Sequence, residues 1–412
     1  MKSVVLFSAF AMASAAGAVS VQVHEDPVVR RALRPFVASG ELPMGVSVFE
    51  KGGKVRFECF GGVGTNDVFW VASMTKGVTA AAVLTLVDRG MLALEDRVSD
   101  FLPEFRTVEK RTITVRQLLC HTSGLPGDTA KLDRRVRAGV DSLDEVVRRV
   151  ASVRLVADPD EAFDYCSVGF DVVGAVVEAV AGMPFDRYLR ETFFVPLGMN
   201  DTTFVCDRER LVPLWEVADG KRAVEVWRAP WTRRFPSGGG GLFSTPHDMW
   251  RFYRMLMKGG RLDGRVYLST RSMCELMRRQ TPKGVGPAYS LGMHVYENGW
   301  IGHFGMRQTY VYLKPVGREL RMFFGQFTGM RKGAWYAAWE QACEIEADPL
   351  PLAGSFRRDA KLAIAAGAFD EAVDLSIAAA ELDGDEAASF RRIAEAYEKA
   401  VDGASKQGGA AK

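Results

Sequence analysis

Strand-like patterns stand at the two ends of this chain's main body, with a long helical stretch between them. Gly45-Val46-Ser47-Val48-Phe49 and Val55-Arg56-Phe57-Glu58-Cys59-Phe60 alternate around Lys51-Gly52-Gly53-Lys54, the pattern of a hairpin closed by a Gly-Gly turn. Far downstream the pattern returns in Trp300-Ile301-Gly302-His303, Thr309-Tyr310-Val311-Tyr312-Leu313 and Leu320-Arg321-Met322-Phe323-Phe324. Helical patterns dominate from Val115 to about Trp250. Strands at both ends predict one antiparallel sheet closed by distant pieces of chain, with a helical region inserted, an α/β (α+β) architecture. A short helix is expected from about Asp26, and the apolar run Met74 to Asp88 reads as a buried helix ended by Arg89-Gly90.

Charge narrows the function. Lys+Arg 53 against Asp+Glu 51 leaves +2, with no dense basic block, so a nucleic-acid partner is not expected. A hydrophobic content of 48% over 412 residues is enough for a large core and excludes wholesale disorder. The expected partner is a small molecule.

The ends read differently from the middle. Lys2, the apolar stretch Val4 to about Ala13 and the small residues up to Ala18 form the pattern of a secretory signal peptide, residues 1–18, cleaved after Ala18. The apolar stretch is too short to span a bilayer, so a periplasmic or secreted protein is expected, with no transmembrane span after leader removal. The main body is expected over 26–350, with its helical insertion at about 100–250. From 351 to 412 an Ala-rich helical tail follows. The run Gly367-Ala368-Phe369-Asp370-Glu371-Ala372 resembles part of one tetratricopeptide repeat, which either packs on the main body or docks on a protein partner.

Export would permit disulfides, yet Cys59, Cys120, Cys166, Cys206, Cys274 and Cys343 are spread singly and read mainly as small buried hydrophobes. No Cys/His grouping has metal-ligand spacing, and no metal or cofactor is expected.

Three short motifs carry residue types suited to chemistry. Ser73-Met74-Thr75-Lys76 leads into the buried helix, where a one-turn spacing sets hydroxyl and amine side by side, and a desolvated Lys can take or relay the hydroxyl proton. Tyr165-Cys166-Ser167 precedes the apolar helix Val168 to Val180. Its two hydroxyls share a side if the segment is extended. Gly302-His303-Phe304-Gly305 places glycines in a strand, where another backbone can approach closely. Each motif alone is common.

Their order is not. The chain resembles the serine β-lactamase and penicillin-binding-protein superfamily, in particular the class C β-lactamase-like serine hydrolases, among them family VIII esterases and D-amino-acid peptidases. Ser73-x-x-Lys76, Tyr165-x-Ser167 and His303-x-Gly305 follow that superfamily's motifs in sequence. Leu118 to Leu125, Pro196 to Met199 and Ser237 to Thr245 extend the resemblance over roughly Asp26 to Phe327. It implies the β-lactamase/transpeptidase-like fold, an antiparallel sheet flanked by helices with an all-helical subdomain inserted.

The resemblance also implies roles. Ser73 is the acylated nucleophile, and Lys76 and Tyr165 form the base system, the proton acceptor among them being left open. Ser167 bonds Lys76 or substrate, and the backbone N–H groups of Ser73 and Met306, beyond Gly305, form an oxyanion hole. His303 and Phe304 stand where penicillin-directed sites usually offer Lys and a hydroxyl to hold a substrate carboxylate. That favours ester or small-amide substrates over β-lactams or cell-wall D-peptides, unless Arg307 restores carboxylate binding. A scaffold that keeps the fold without catalysis is the remaining alternative. Thr245-Pro246-His247-Asp248 reads as a helix start with His247 facing solvent, and His121-Thr122-Ser123-Gly124 as a helix end and turn. Neither histidine is expected to act in catalysis.

Overall fold

The computed structural model describes residues 23–24, 27–128, 136–218, 221–224, 235–296, 299–315, 318–328 and 334–345. The expected leader and helical tail lie outside these residues.

Seven strands form the main sheet, in the spatial order Val23–His24, Lys54–Phe60, Gly45–Lys51, Glu319–Phe324, Thr309–Lys314, Ile301–Gly305, His294–Val295. All neighbours are antiparallel except the first pair. Glu319–Phe324 pairs with Gly45–Lys51 over six residues, Val48 opposite Met322, so the two ends of the body meet at the centre of the sheet. The hairpin turns at Gly52 and Gly53, with φ +56° and +78°, in the region that glycine tolerates best.

Alternation along the strands sorts side chains to two cores. Val46, Val48, Val311, Leu313, Leu320 and Met322 face the larger core, built with the helices Thr75–Asp88, Ser167–Ala181 and Pro246–Met257. Phe49, Tyr310, Tyr312 and Phe323 face the opposite side, against Val29 and Leu33 of the Pro27–Ser39 helix and Trp335 and Trp339 of the Ala334–Ile345 helix. The Thr75–Asp88 helix is buried from Thr75 to Leu86, as its nearly unbroken apolar composition predicts.

One expectation changes. The segment 100–250 is not all helix: Trp215–Ala218 and Lys221–Val224 form a hairpin, and Phe243–Ser244 pairs with Phe69–Trp70. Only Trp215-Glu216-Val217 alternates apolar and polar residues, too short a run to mark a strand, and the strand is completed by Phe327–Thr328, more than a hundred residues away. Among the cysteines, Cys120, Cys166, Cys274 and Cys343 are buried, but Cys59 is exposed and Cys206 half-buried; all six are free thiols. The Pro246–Met257 helix begins as expected, the Asp248 N–H donating to Thr245 Oγ1 at 3.1 Å, with His247 partly exposed. Among the described residues no single helix is long and apolar enough to cross a membrane, and no group of three His, Cys, Asp or Glu side chains converges to hold a metal ion.

Candidate active site

Three elements converge beside the end of the main sheet. Ser73 lies in the single turn Ala72–Met74 that opens the Thr75–Asp88 helix. Ala72 has φ 49°, a left-handed conformation that alanine adopts only when neighbours hold it there. They do: Thr75 Oγ1 donates to Ala72 O at 2.6 Å, Val71 N donates to Leu242 O at 3.1 Å, and Thr309 Oγ1 donates to Val71 O at 3.2 Å. Gly305 makes the last contact possible. A Cβ there would stand 2.1 Å from Thr309 Oγ1 and 2.7 Å from Val71 O, so only a glycine lets the strand press against the Ser73 turn. The expected close approach of a backbone at this glycine is therefore met by the chain itself.

Lys76 is fully buried, one turn after Ser73. A buried ammonium needs acceptors, and Nζ has Ser73 Oγ at 3.2 Å, Ser167 Oγ at 3.0 Å and Gly239 O at 2.6 Å. It also lies 4.7 Å from the centroid of the Tyr165 ring and 5.5 Å from that of Phe170. Cys166 is extended (φ −124°, ψ 101°), and Ser167 opens the Ser167–Ala181 helix, so Tyr165 and Ser167 reach Lys76 together. The motifs around residues 73, 165 and 303 are brought to one place.

The Gly239 carbonyl is held from behind. Asp171, fully buried, accepts from the Gly239 amide at 3.1 Å, Ser237 Oγ at 2.7 Å and Arg137 Nε at 2.6 Å. A Cβ on Gly239 would come within 2.1 Å of Ser167 O, which accounts for glycine in this part of the Gly238–Gly241 run. Asp128 closes the other flank, accepting from Ser167 Oγ at 2.6 Å and Ser167 N at 2.7 Å.

His303 is buried in its strand, with Nε2 3.0 Å from Tyr289 Oη and 3.4 Å from Tyr165 Oη. Hydrogen-bond roles assign the tautomers of the surrounding rings. The Cys166 N–H donates to His121 Nδ1 at 3.1 Å, leaving the His121 proton on Nε2, which faces Tyr289 Oη at 3.3 Å. Burial, and then the Lys76 charge, hold His121 well below the usual histidine range, so it is neutral. Burial likewise pushes the Tyr289 phenol well above its ordinary range, keeping it a donor toward His303 Nε2. His303 Nδ1 faces the Phe304 carbonyl at 2.8 Å, an acceptor only, and so carries the ring proton. Its one lone pair, on Nε2, is met by Tyr289 at the shorter distance, with the Tyr165 hydroxyl beside it.

Met306 is half exposed just past the strand, and Arg307 and Gln308 turn the chain with φ 73° and 67°. Arg307 thus stands in a turn, not on the strand. His121, set aside on sequence, has φ 63° at a helix end as expected, yet it is buried with its ring 4.4 Å from that of Tyr165. Tyr289, Asp128, Asp171 and Arg137 are the other residues that the motifs do not reveal. The sequence signals are weak: His121 and Asp171 stand in largely apolar surroundings, and Asp128 follows a Gly-Pro-rich stretch.

A protein-family profile described as Beta-lactamase matches residues 29–324. The chain belongs to the Beta-lactamase family. This family member is 32% identical to "Penicillin-binding protein 4" of Amycolatopsis lactamdurans over 337 residues, 72% of this chain and 86% of that one. It is 31% identical to "Esterase EstB" of Burkholderia gladioli over 277 residues, 57% of this chain and 69% of the relative. Among solved structures, "EstCE1, a hydrolase with promiscuous acyltransferase activity" superposes with a TM-score of 0.66 at 18% identity, covering 77% of this chain and 97% of that one. At that identity the likeness shows the fold alone. This Beta-lactamase family member therefore has the β-lactamase/penicillin-binding-protein-like α/β fold and esterase as well as penicillin-binding relatives.

Proposed function

We propose that this chain is an exported serine hydrolase, periplasmic or secreted, that cleaves esters or small amides through an acyl-enzyme on Ser73. The observation that carries the reading is Lys76 Nζ at 3.2 Å from Ser73 Oγ in a fully buried position, where an amine can exchange a proton with the hydroxyl. Ser73 Oγ attacks the acyl carbon as its proton passes to the Lys76 and Tyr165 system. The tetrahedral oxyanion is held by the backbone N–H groups of Ser73 and Met306. The leaving atom departs with the returned proton, and water hydrolyses the acyl-enzyme by the same path in reverse.

The substrate preference is supported by His303. Its Nδ1 faces the Phe304 carbonyl and its Nε2 faces the Tyr289 and Tyr165 hydroxyls, so this position offers a ring held among neighbours in place of a lysine ammonium for a substrate carboxylate. The sequence relationship to "Esterase EstB" points the same way. A β-lactamase or D-peptidase reading is favoured by "Penicillin-binding protein 4", which the chain matches over more of its length. Hydrolysis of short-chain nitrophenyl esters compared with a chromogenic cephalosporin, with Ser73→Ala as control, separates the two. Ester turnover that exceeds cephalosporin turnover and falls at least about a thousandfold in Ser73→Ala is the expected result. Equal or faster cephalosporin turnover would overturn the preference.

A further inference from the structure

We propose that Asp128 is a positioning residue that acts through Ser167 to aim Lys76 at Ser73; the inference rests on the acyl-enzyme reading above. The argument is a count of hydrogen-bond roles. Ser167 has one hydroxyl proton, and Asp128 Oδ2 takes it at 2.6 Å. Ser167 Oγ then presents only lone pairs to Lys76 Nζ, 3.0 Å away. Gly239 O, at 2.6 Å, is likewise an acceptor only. Two of the three outward positions on Nζ are thereby committed to N–H bonds. The third faces Ser73 Oγ at 3.2 Å, and it is the position where a proton can move in either direction.

With Nζ neutral, its lone pair points at the Ser73 hydroxyl; with Nζ protonated, the third N–H points there. A Ser167 hydroxyl free to turn would offer its own proton to that lone pair and compete with Ser73. Asp128 removes the competitor. Its place is fixed by the pairing of two segments: Asp128 N donates to Tyr165 O at 2.8 Å, Gly127 N donates to Asp164 Oδ2 at 2.7 Å, and Ser167 N donates to Asp128 Oδ1 at 2.7 Å. The same pairing flanks Tyr165, so the carboxylate lies beside both candidate proton carriers without touching the reacting atoms.

The test is a double-mutant cycle on nitrophenyl butyrate hydrolysis, with Ser73 labelling by a fluorophosphonate as the check on the acyl-enzyme. Asp128→Asn puts an amide donor beside Ser167. The expected result is a fall in kcat of about 10- to 100-fold with KM within about twofold, since aim is lost while substrate contacts stay. In the Ser167→Ala background the same substitution should cost less than about threefold. If Asp128→Asn does not fold, Ser167→Ala alone carries the expectation, because it removes the relay and leaves the backbone bond to Asp128 in place. An unchanged kcat in either single variant, or a loss that persists undiminished in the Ser167→Ala background, overturns the proposal and leaves the acyl-enzyme reading standing. Failure of wild-type Ser73 to label overturns both.

Discussion

Arg137 Nε lies 2.6 Å from Asp171 Oδ2, in an ion pair whose acid is fully buried and whose base is almost so. The same carboxylate receives the Gly239 amide, so the pair braces the carbonyl that holds Lys76. Arg137→Met should leave an unpaired buried carboxylate and cost about 3–5 kcal/mol of stability, the range for breaking a buried pair from one side. Urea unfolding followed by tryptophan fluorescence measures it. A loss under about 1 kcal/mol would mean that Asp171 is satisfied without the guanidinium.

Gly305→Ala tests the contact between the Ile301–Gly305 strand and the Ser73 turn. The added Cβ would meet the Thr309 hydroxyl and the Val71 carbonyl well inside contact distance, so the Ile301–Gly305 strand must move away from the Ser73 turn. Displacement by about 1 Å at an active site costs on the order of a hundredfold in rate. The expected phenotype is a folded protein, by circular dichroism, with kcat reduced on that scale on nitrophenyl esters.

His121 predicts a pH dependence of stability. Its folded-state value is held well below its ordinary value near 6.5 by burial and by Lys76. The unfolded chain therefore binds the proton first: stability is full above about pH 6.5 and declines as the pH falls below it, by up to about 1.4 kcal/mol per pH unit. His121→Gln, which cannot charge, should flatten this limb between about pH 6.5 and 5 even though it lowers stability at pH 8. Parallel acid limbs in the two proteins would assign the decline to other groups.

Five of the seven main-sheet strands and the three motifs were legible because each is written locally, whereas the two-residue edge strands Val23–His24 and His294–Val295 are too short to leave a pattern. Alternation in Val55–Phe60 and Thr309–Leu313 marks strands, and Ser73 and Lys76 are one helical turn apart. What was not legible arises between segments. His121 reads as a turn residue, and its second contact is Tyr289, 168 residues away. Asp171 sits in the middle of an apolar helix, and its partners Arg137 and Ser237 come from either side in sequence. Asp128 follows Gly-Pro-rich sequence that signals only a loop, and its meaning depends on the Ser167 hydroxyl 39 residues on. The strand at Trp215–Ala218 was hidden for the same reason: three residues of alternation, Trp215 to Val217, are a weak signal until Phe327–Thr328 lies beside them.

The pairing of Gly45–Lys51 with Glu319–Phe324 carries a consequence for biosynthesis. Ser73, Lys76, Tyr165 and Ser167 have all left the ribosome long before the central strand that joins the sheet's halves is made. The Ser73 turn leans on Gly305 and Thr309, and their strands are held in place by that last partner. A growing chain thus carries its reactive side chains in unassembled form until nearly the whole body exists, and contacts this remote in sequence form slowly. The Ser73 site is assembled late and all at once, so under the ester-hydrolase proposal the recovery of nitrophenyl-ester turnover during refolding should coincide with sheet closure.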